Sequence, residues 1–235
     1  MNPSGYRERA TPRGAGLACV WTSALPRSAA GPFVQRVVPD GCVDVYWSER
    51  AGRVFVAGPD TGPNPAPMMP GDRFAGVRFR PGMAGRVLGV PPAAVRDARM
   101  PLADLWGADA ERLEHEAATG APEQALTSAL LARAAAAPPP DPLVPGLIPA
   151  LARGSVADAA DALGFSERQL RRRAVDAFGY GPKTVQRVLR FQRALRLARA
   201  GTPFAEVAQA AGYADQTHLA HEVRELGGAP LGAFR

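Results

Sequence analysis

Two short stretches of this 235-residue chain carry side chains suited to reading the edge of a base pair. In Ser166-Glu-Arg-Gln-Leu-Arg-Arg172, a helix that turns Leu170 inward turns Arg168, Arg171 and Arg172 outward. In Asp215-Gln-Thr-His-Leu-Ala-His221, Leu219 takes the inward place, and Gln216, Thr217, Ala220 and His221 face out. Arginine pairs with guanine through two N–H donors, and glutamine can read adenine. By itself Arg171-Arg-Arg173 reads equally well as a solvated charged face. Repetition decides between the two readings.

Val156-Ala-Asp-Ala-Ala160-Asp-Ala-Leu-Gly164-Phe165 returns 48 residues later as Phe204-Ala-Glu-Val-Ala208-Gln-Ala-Ala-Gly212-Tyr213. Ala160 and Ala208 are small where a second helix must cross the first closely. Gly164 and Gly212 allow the positive φ that stops the first helix in a tight turn. Phe165 and Tyr213 are expected to fill the core under that turn. Ser166 with Gln169 then forms a capping box, and Asp215 serves as a plain N-cap, the second turn being one residue longer. Each copy therefore predicts a helix-turn-helix. Between them Pro182 to Gly201 reads as one long helix, with proline in its first turn and glycine at its stop. About 18 residues at 1.5 Å give a rod of ~27 Å, comparable to one DNA turn of ~34 Å.

Charge follows the same division. Residues 151–235 hold 13 basic and 8 acidic side chains, a net +5, against 15 and 14 in residues 1–150, a net +1. The C-terminal part thus suits a polyanion. Pro138-Pro-Pro-Asp-Pro142 cannot continue a helix and favours an extended, semi-rigid path. The expected division is a β-rich domain at 1–137, a linker at 138–142 and a helical domain at 143–235.

Residues 14–80 read as β-rich. Phe33–Val38, Val43–Trp47, Arg53–Ala57 and Phe74–Phe79 are the expected strands, with a turn at Pro39-Asp-Gly41. The proline-rich 58–67 segment reads as a loop without regular structure. Residues 83–136 turn helical, with Leu102, Leu105 and Trp106, then Leu126, Leu130 and Leu131, at helical spacing. The fold class is α+β: a small β-barrel-like domain followed by helices, then an all-α domain with two helix-turn-helix units joined by a long helix. Trp21, Tyr46, Trp47, Phe55, Phe74, Phe79 and Trp106 are aromatics available to a pocket or to a core.

The C-terminal stretch resembles the paired helix-turn-helix domain of AraC/XylS-type transcription regulators. Five segments carry the resemblance: Ser166–Arg172, Phe178-Gly-Tyr-Gly-Pro-Lys183, Arg190-Phe-Gln-Arg-Ala-Leu-Arg-Leu197, Gly212–Leu219 and Gly228-Ala-Pro-Leu-Gly-Ala-Phe234. The resemblance implies double-stranded DNA as partner, with base contacts from Arg168, Arg171 and Arg172, from the Ser166 turn, and from Gln216, Thr217, Ala220 and His221. It also implies a small-molecule effector held by the N-terminal domain, RNA polymerase as partner of an activator, and room for a homodimer. The second unit departs from the family pattern. His221 stands where arginine is usual, and Leu219 and Val223 stand where phenylalanines are. The first unit is therefore expected to dominate the reading.

Other chemistry finds little footing. No apolar run approaches the ~18 residues of a membrane span. The N-terminus lacks the apolar core of a secretory signal, so a cytoplasmic protein with reduced Cys19 and Cys42 is expected. His218 and His221, with Glu222 the only further ligand nearby, make a weak metal set. Cys42 invites comparison with DNA-repair alkyl acceptors, but those carry a four-cysteine zinc cluster and this chain has two cysteines. No nucleophile elbow, phosphate-binding loop or dinucleotide fingerprint occurs. The expectation is no enzyme, no cofactor and no metal. The rivals are a DNA-targeted enzyme and a DNA-binding protein with an inert dimerisation domain.

Overall fold

The computed structural model describes residues 4–11 and 16–235. The start of the segment read as β-rich, at 14–15, and residues 1–3 and 12–14 of the N-terminus lie outside the described residues.

The strands are β1 (Arg7–Ala10), β2 (Leu17–Ala24), β3 (Phe33–Val37), β4 (Asp44–Ser48), β5 (Arg53–Ala57), β6 (Asn64–Met68), β7 (Arg73–Phe79) and β8 (Arg99–Pro101). Six form one antiparallel sheet in the order β1-β2-β7-β4-β5-β8, and β3 and β6 form a separate ribbon. The sheet stays open. Alternation along the strands gives it two faces. Val20, Val77, Val45 and Val56 line up across four strands on the core face. There they are covered by α1 (Gly85–Leu88), α2 (Ala103–Trp106), α3 (Ala108–Ala118) and α4 (Pro122–Ala136), through Leu88, Trp106, Leu113, Leu126 and Leu130. Leu131, read as part of that apolar stripe, is instead 40% exposed.

The loop reading of 58–67 needs correction, because β6 begins at Asn64. Pro65 opposes Arg36 and Pro67 opposes Val34, while Asn64, Ala66 and Met68 alternate with them. Prolines spaced by two place both missing N–H groups on the side away from β3, as a ribbon edge permits. The helical reading of 83–136 likewise omitted β8, which pairs with β5 at the sheet edge.

After the exposed prolines 138–140, the chain forms α5 (Val144–Arg153), α6 (Val156–Ala162), α7 (Glu167–Phe178), α8 (Pro182–Arg199), α9 (Phe204–Ala211) and α10 (Gln216–Gly227). Two further cores sit here. One gathers Leu147, Leu151, Ala160, Leu170, Phe178 and Val188. The other gathers Phe191, Leu195, Val207, Leu219, Val223 and Leu226. The α8 helix spans both: Val185 and Val188 belong to the first, Phe191, Ala194 and Leu195 to the second.

The sheet part and the helical part touch at the end of α7. Gly179, with φ 81°, abuts Pro59 and Pro92, where a Cβ would lie 3.0 Å from each. Its carbonyl accepts from Arg96 Nη1 at 3.0 Å. Tyr180 is buried beside Gly41. Farther along, Gln192 Nε2 donates to the Pro39 carbonyl at 2.6 Å, and Val38 packs against the second helical core.

Candidate nucleic-acid interface

The first outward helix starts where its sequence says it should. Ser166 Oγ accepts from the Gln169 N–H at 3.3 Å, and Gln169 Oε1 accepts from the Ser166 N–H at 2.9 Å. This reciprocal box satisfies two of the four orphan donors of a helix start. Leu170 and Ala174, both fully buried, fix the rotation of α7. Arg168, Arg171 and Arg172 consequently project from the opposite side and are exposed. Among the described residues none of the three forms an ion pair. Arg173 differs: it pairs with Asp141 at 2.6 Å, and its guanidinium lies 4.8 Å above the Phe165 ring. Phe165 is thus only half-buried under that arginine. Its inner side packs against the core of the first unit, as expected, beside Leu170 and Phe178, and the Arg173 guanidinium covers its outer side.

The second outward helix starts at Asp215, whose carboxylate accepts from the His218 N–H at 2.7 Å. Leu219 is buried, and Gln216, Thr217 and His221 are exposed with Ala220 half-buried between them. Arg224 continues the same stripe one turn on, beside Thr217, Ala220 and His221 in a shared shallow depression. Sequence reading stopped at His221 and missed it, although the three- and four-residue spacing was there to extend. His221 Nδ1 lies 3.9 Å from Glu225. Tyr213 is buried as expected, and His218 meets it edge-on at 5.3 Å.

Glu222 does not join His218 and His221. Its carboxylate points the other way, onto Arg187 and Arg190 of α8. The hydrogen bond that Arg187 donates to the Glu222 carboxylate holds its guanidinium above the ordinary value, with a smaller contribution from Glu225. The three side chains weighed as a metal set are therefore not brought together.

The aromatics named for a pocket or core separate by face. Trp47, Phe79 and Trp106 lie in the core. Trp21, Tyr46, Phe55 and Phe74 gather on the other face of the sheet, joined by Tyr6, with neighbouring ring centroids 5.5–6.2 Å apart. Gly76 is needed there: a Cβ would stand 2.3 Å from the Trp21 ring that lies across it. Among the described residues the buried Trp21 indole N–H has no acceptor.

Cys42 lies at the edge of this domain, its N–H donating to Asp40 Oδ1 at 2.8 Å. Burial, and then the Asp40 carboxylate, push its thiol well above the ordinary value. Burial likewise pushes Cys19 up to about 11. Both are poor sources of the thiolate that alkyl transfer needs.

Residues 159–235 match the profile of a helix-turn-helix domain family, and residues 15–101 match that of a domain of unknown function, DUF6597. No curated protein matches. Among solved structures, ToxT from Vibrio cholerae at 1.65 Å is 8% identical, with a TM-score of 0.44 over 86% of this chain and 96% of that one. An apo lysine-to-alanine variant of ToxT is 10% identical, with a TM-score of 0.47 over 95% and 97%. ToxT with a bound unsaturated fatty acid is 10% identical, with a TM-score of 0.40 over 88% and 95%. Among the described residues no helix is long and apolar enough to cross a membrane.

Proposed function

From the match of residues 159–235 to a helix-turn-helix domain family, we propose that this chain is a DNA-binding transcription regulator of the AraC type that reads its operator with two unequal heads. The first is Arg168, Arg171 and Arg172 with the Ser166 turn; the second is Gln216, Thr217, Ala220 and His221, extended by Arg224. The observation that carries this reading is the pair of capped helices whose exposed faces hang from one 18-residue helix, α8. Three exposed guanidiniums suit guanine edges and phosphates.

Residues 1–137 act as sensor or dimerisation domain, and 138–142 as the link. The aromatic face around Trp21 and Tyr46 suits a small, flat or apolar effector. The contacts of Arg96 and Gly179 give such a ligand a route to α7. An effector that couples two sites by ~1–3 kcal/mol changes operator affinity about 5- to 150-fold.

The test selects bound sequences from random DNA with the full-length protein, then titrates small molecules against the selected duplex. Selection of a defined sequence, and a ligand that shifts its affinity in wild type but not in Tyr46→Ala, is the expected result. Binding without any sequence preference overturns the reading. Ligands that bind without changing DNA affinity reduce the N-terminal domain to dimerisation.

A further inference from the structure

Glu222 is the only buried ionisable side chain of α10. At 100° per residue, Gln216, Thr217, Ala220, His221 and Arg224 span about 140° of the helix surface, and Glu222 lies about half a turn from their centre. Arg187 Nε donates to Glu222 Oε1 at 2.8 Å. Arg190 Nη2 donates to the same oxygen at 3.3 Å and to Oε2 at 3.5 Å. Arg187 also reaches Glu225 at 2.8 Å. Both arginines belong to α8, whose preceding turns are packed into the core of the first unit.

Tyr213 stands beside the Glu222 carboxylate, and Arg190 lies 5.4 Å above its ring. Apart from this and the edge-on contact of His218 with Tyr213, α10 joins its unit by apolar packing: Leu219, Val223 and Leu226 share a core with Phe191, Ala194, Leu195, Val207 and Phe234. Burial of Leu219, Val223 and Leu226 sets which side of α10 faces inward, but apolar contact is non-directional and leaves the last degrees of rotation to be fixed by polar contacts. A carboxylate gripped by two guanidiniums has fixed direction and distance. Buried ion pairs add little net stability against an apolar substitute, and setting register is their best-attested use.

We propose that Glu222, through Arg187 and Arg190, is the positioning residue that sets the rotation of α10 and so aims the second head at DNA. This rests on the reading that Gln216, Thr217 and His221 face the duplex.

The experiment compares full-length wild type with Glu222→Gln on two duplexes: the sequence selected by wild type, and the same duplex with one half-site scrambled. That half-site is the one whose protection Thr217→Ala weakens. A second variant, Arg187→Leu, Arg190→Met and Glu222→Leu together, replaces the ion pairs by apolar packing and so preserves the fold. Scrambling is expected to cost wild type roughly ten-fold, and both variants about nothing. Both variants are further expected to bind the scrambled duplex as tightly as wild type does. If the apolar variant keeps wild-type discrimination, the ion pairs only hold the fold and the proposal falls alone. Wild-type indifference to scrambling overturns the reading of the second head, and this proposal with it.

Discussion

In the first helix-turn-helix unit both helices begin at a capping box, Ser155 with Asp158 and Ser166 with Gln169. In the second, α9 begins at Pro203 without a side-chain cap and α10 at Asp215 alone. The outward faces differ in the same sense, three arginines against one, Arg224. The second unit relies more on distant contacts: its outward helix α10 is gripped by two arginines of α8, and its core is extended by Val38 from the sheet domain. One sequence plan, repeated, thus yields a first unit whose helix starts are fixed by local caps, with the end of α7 docked on the sheet domain, and a second unit whose outward helix is fixed chiefly by α8.

The largest expected difference lies in base reading. An arginine paired with guanine discriminates by ~1–3 kcal/mol. Arg172→Ala should therefore lower the ratio of operator to non-operator affinity about 5- to 150-fold at fixed salt. His221→Ala should lower it by less. Equal losses would show the second head reading as strongly as the first, and the comparison would fail.

Next come the turn glycines. Gly179 and Gly212 both stand at positive φ, 81° and 88°, where a side chain costs ~1–2 kcal/mol. At Gly212 the nearest atom to an added Cβ is Arg190 Cδ at 3.8 Å, whereas at Gly179 the Cβ meets Pro59 and the Pro92 backbone at 3.0 Å. Gly179→Ala should destabilise the protein more than Gly212→Ala in urea unfolding, and should also loosen the Arg96 contact. Similar midpoints for the two would mean that the first head is not docked against the sheet domain in solution.

A smaller effect is expected from giving the second head a permanent charge. His221→Arg adds a cation on the exposed stripe, tempered by Glu225 nearby. If it meets a phosphate, the slope of log K against log salt should steepen by ~0.9. An unchanged slope would place residue 221 away from the backbone.

The contrast also explains what the sequence could disclose. Caps and stops are local: Ser166 with Gln169, Asp215, Gly164 and Gly212 can be read because partner and position lie within four residues. So can β5, where Arg53–Ala57 alternates plainly. Glu222 looked like a stray ligand because its partners, Arg187 and Arg190, lie 35 and 32 residues away. That Arg173 covers the outer side of Phe165 is likewise announced by nothing local. The β6 strand was hidden by its own prolines, whose tolerance depends on the ribbon being only two strands wide. Which aromatics line a face and which fill a core depends on strand register, and Trp21 and Tyr46 flank Gly76 only once β2, β7 and β4 are paired.

The smallest expected effect separates the two capping boxes of the first unit from each other. In α6 the Ser155 N–H donates to Asp158 Oδ2 at 2.8 Å, and the Asp158 N–H donates to Ser155 Oγ at 3.1 Å. The hydrogen bond from the Ser155 backbone, and then that from its side chain, holds the Asp158 carboxyl below the ordinary carboxylate value. A carboxyl lowered on folding stabilises the native state above its unfolded value of ~3.9, and that contribution disappears as pH falls through the lower folded value. Asp158→Asn should accordingly lower the unfolding midpoint at pH 7 and make progressively less difference toward pH 3. The box of α7 uses Gln169, which does not titrate, so the effect of Gln169→Ala should be flat over the same range. Urea unfolding of the three proteins at several pH values measures both. An Asp158→Asn difference that persists undiminished at pH 3 would mean that the carboxylate charge plays no part in starting α6, and that the two boxes work by shape alone.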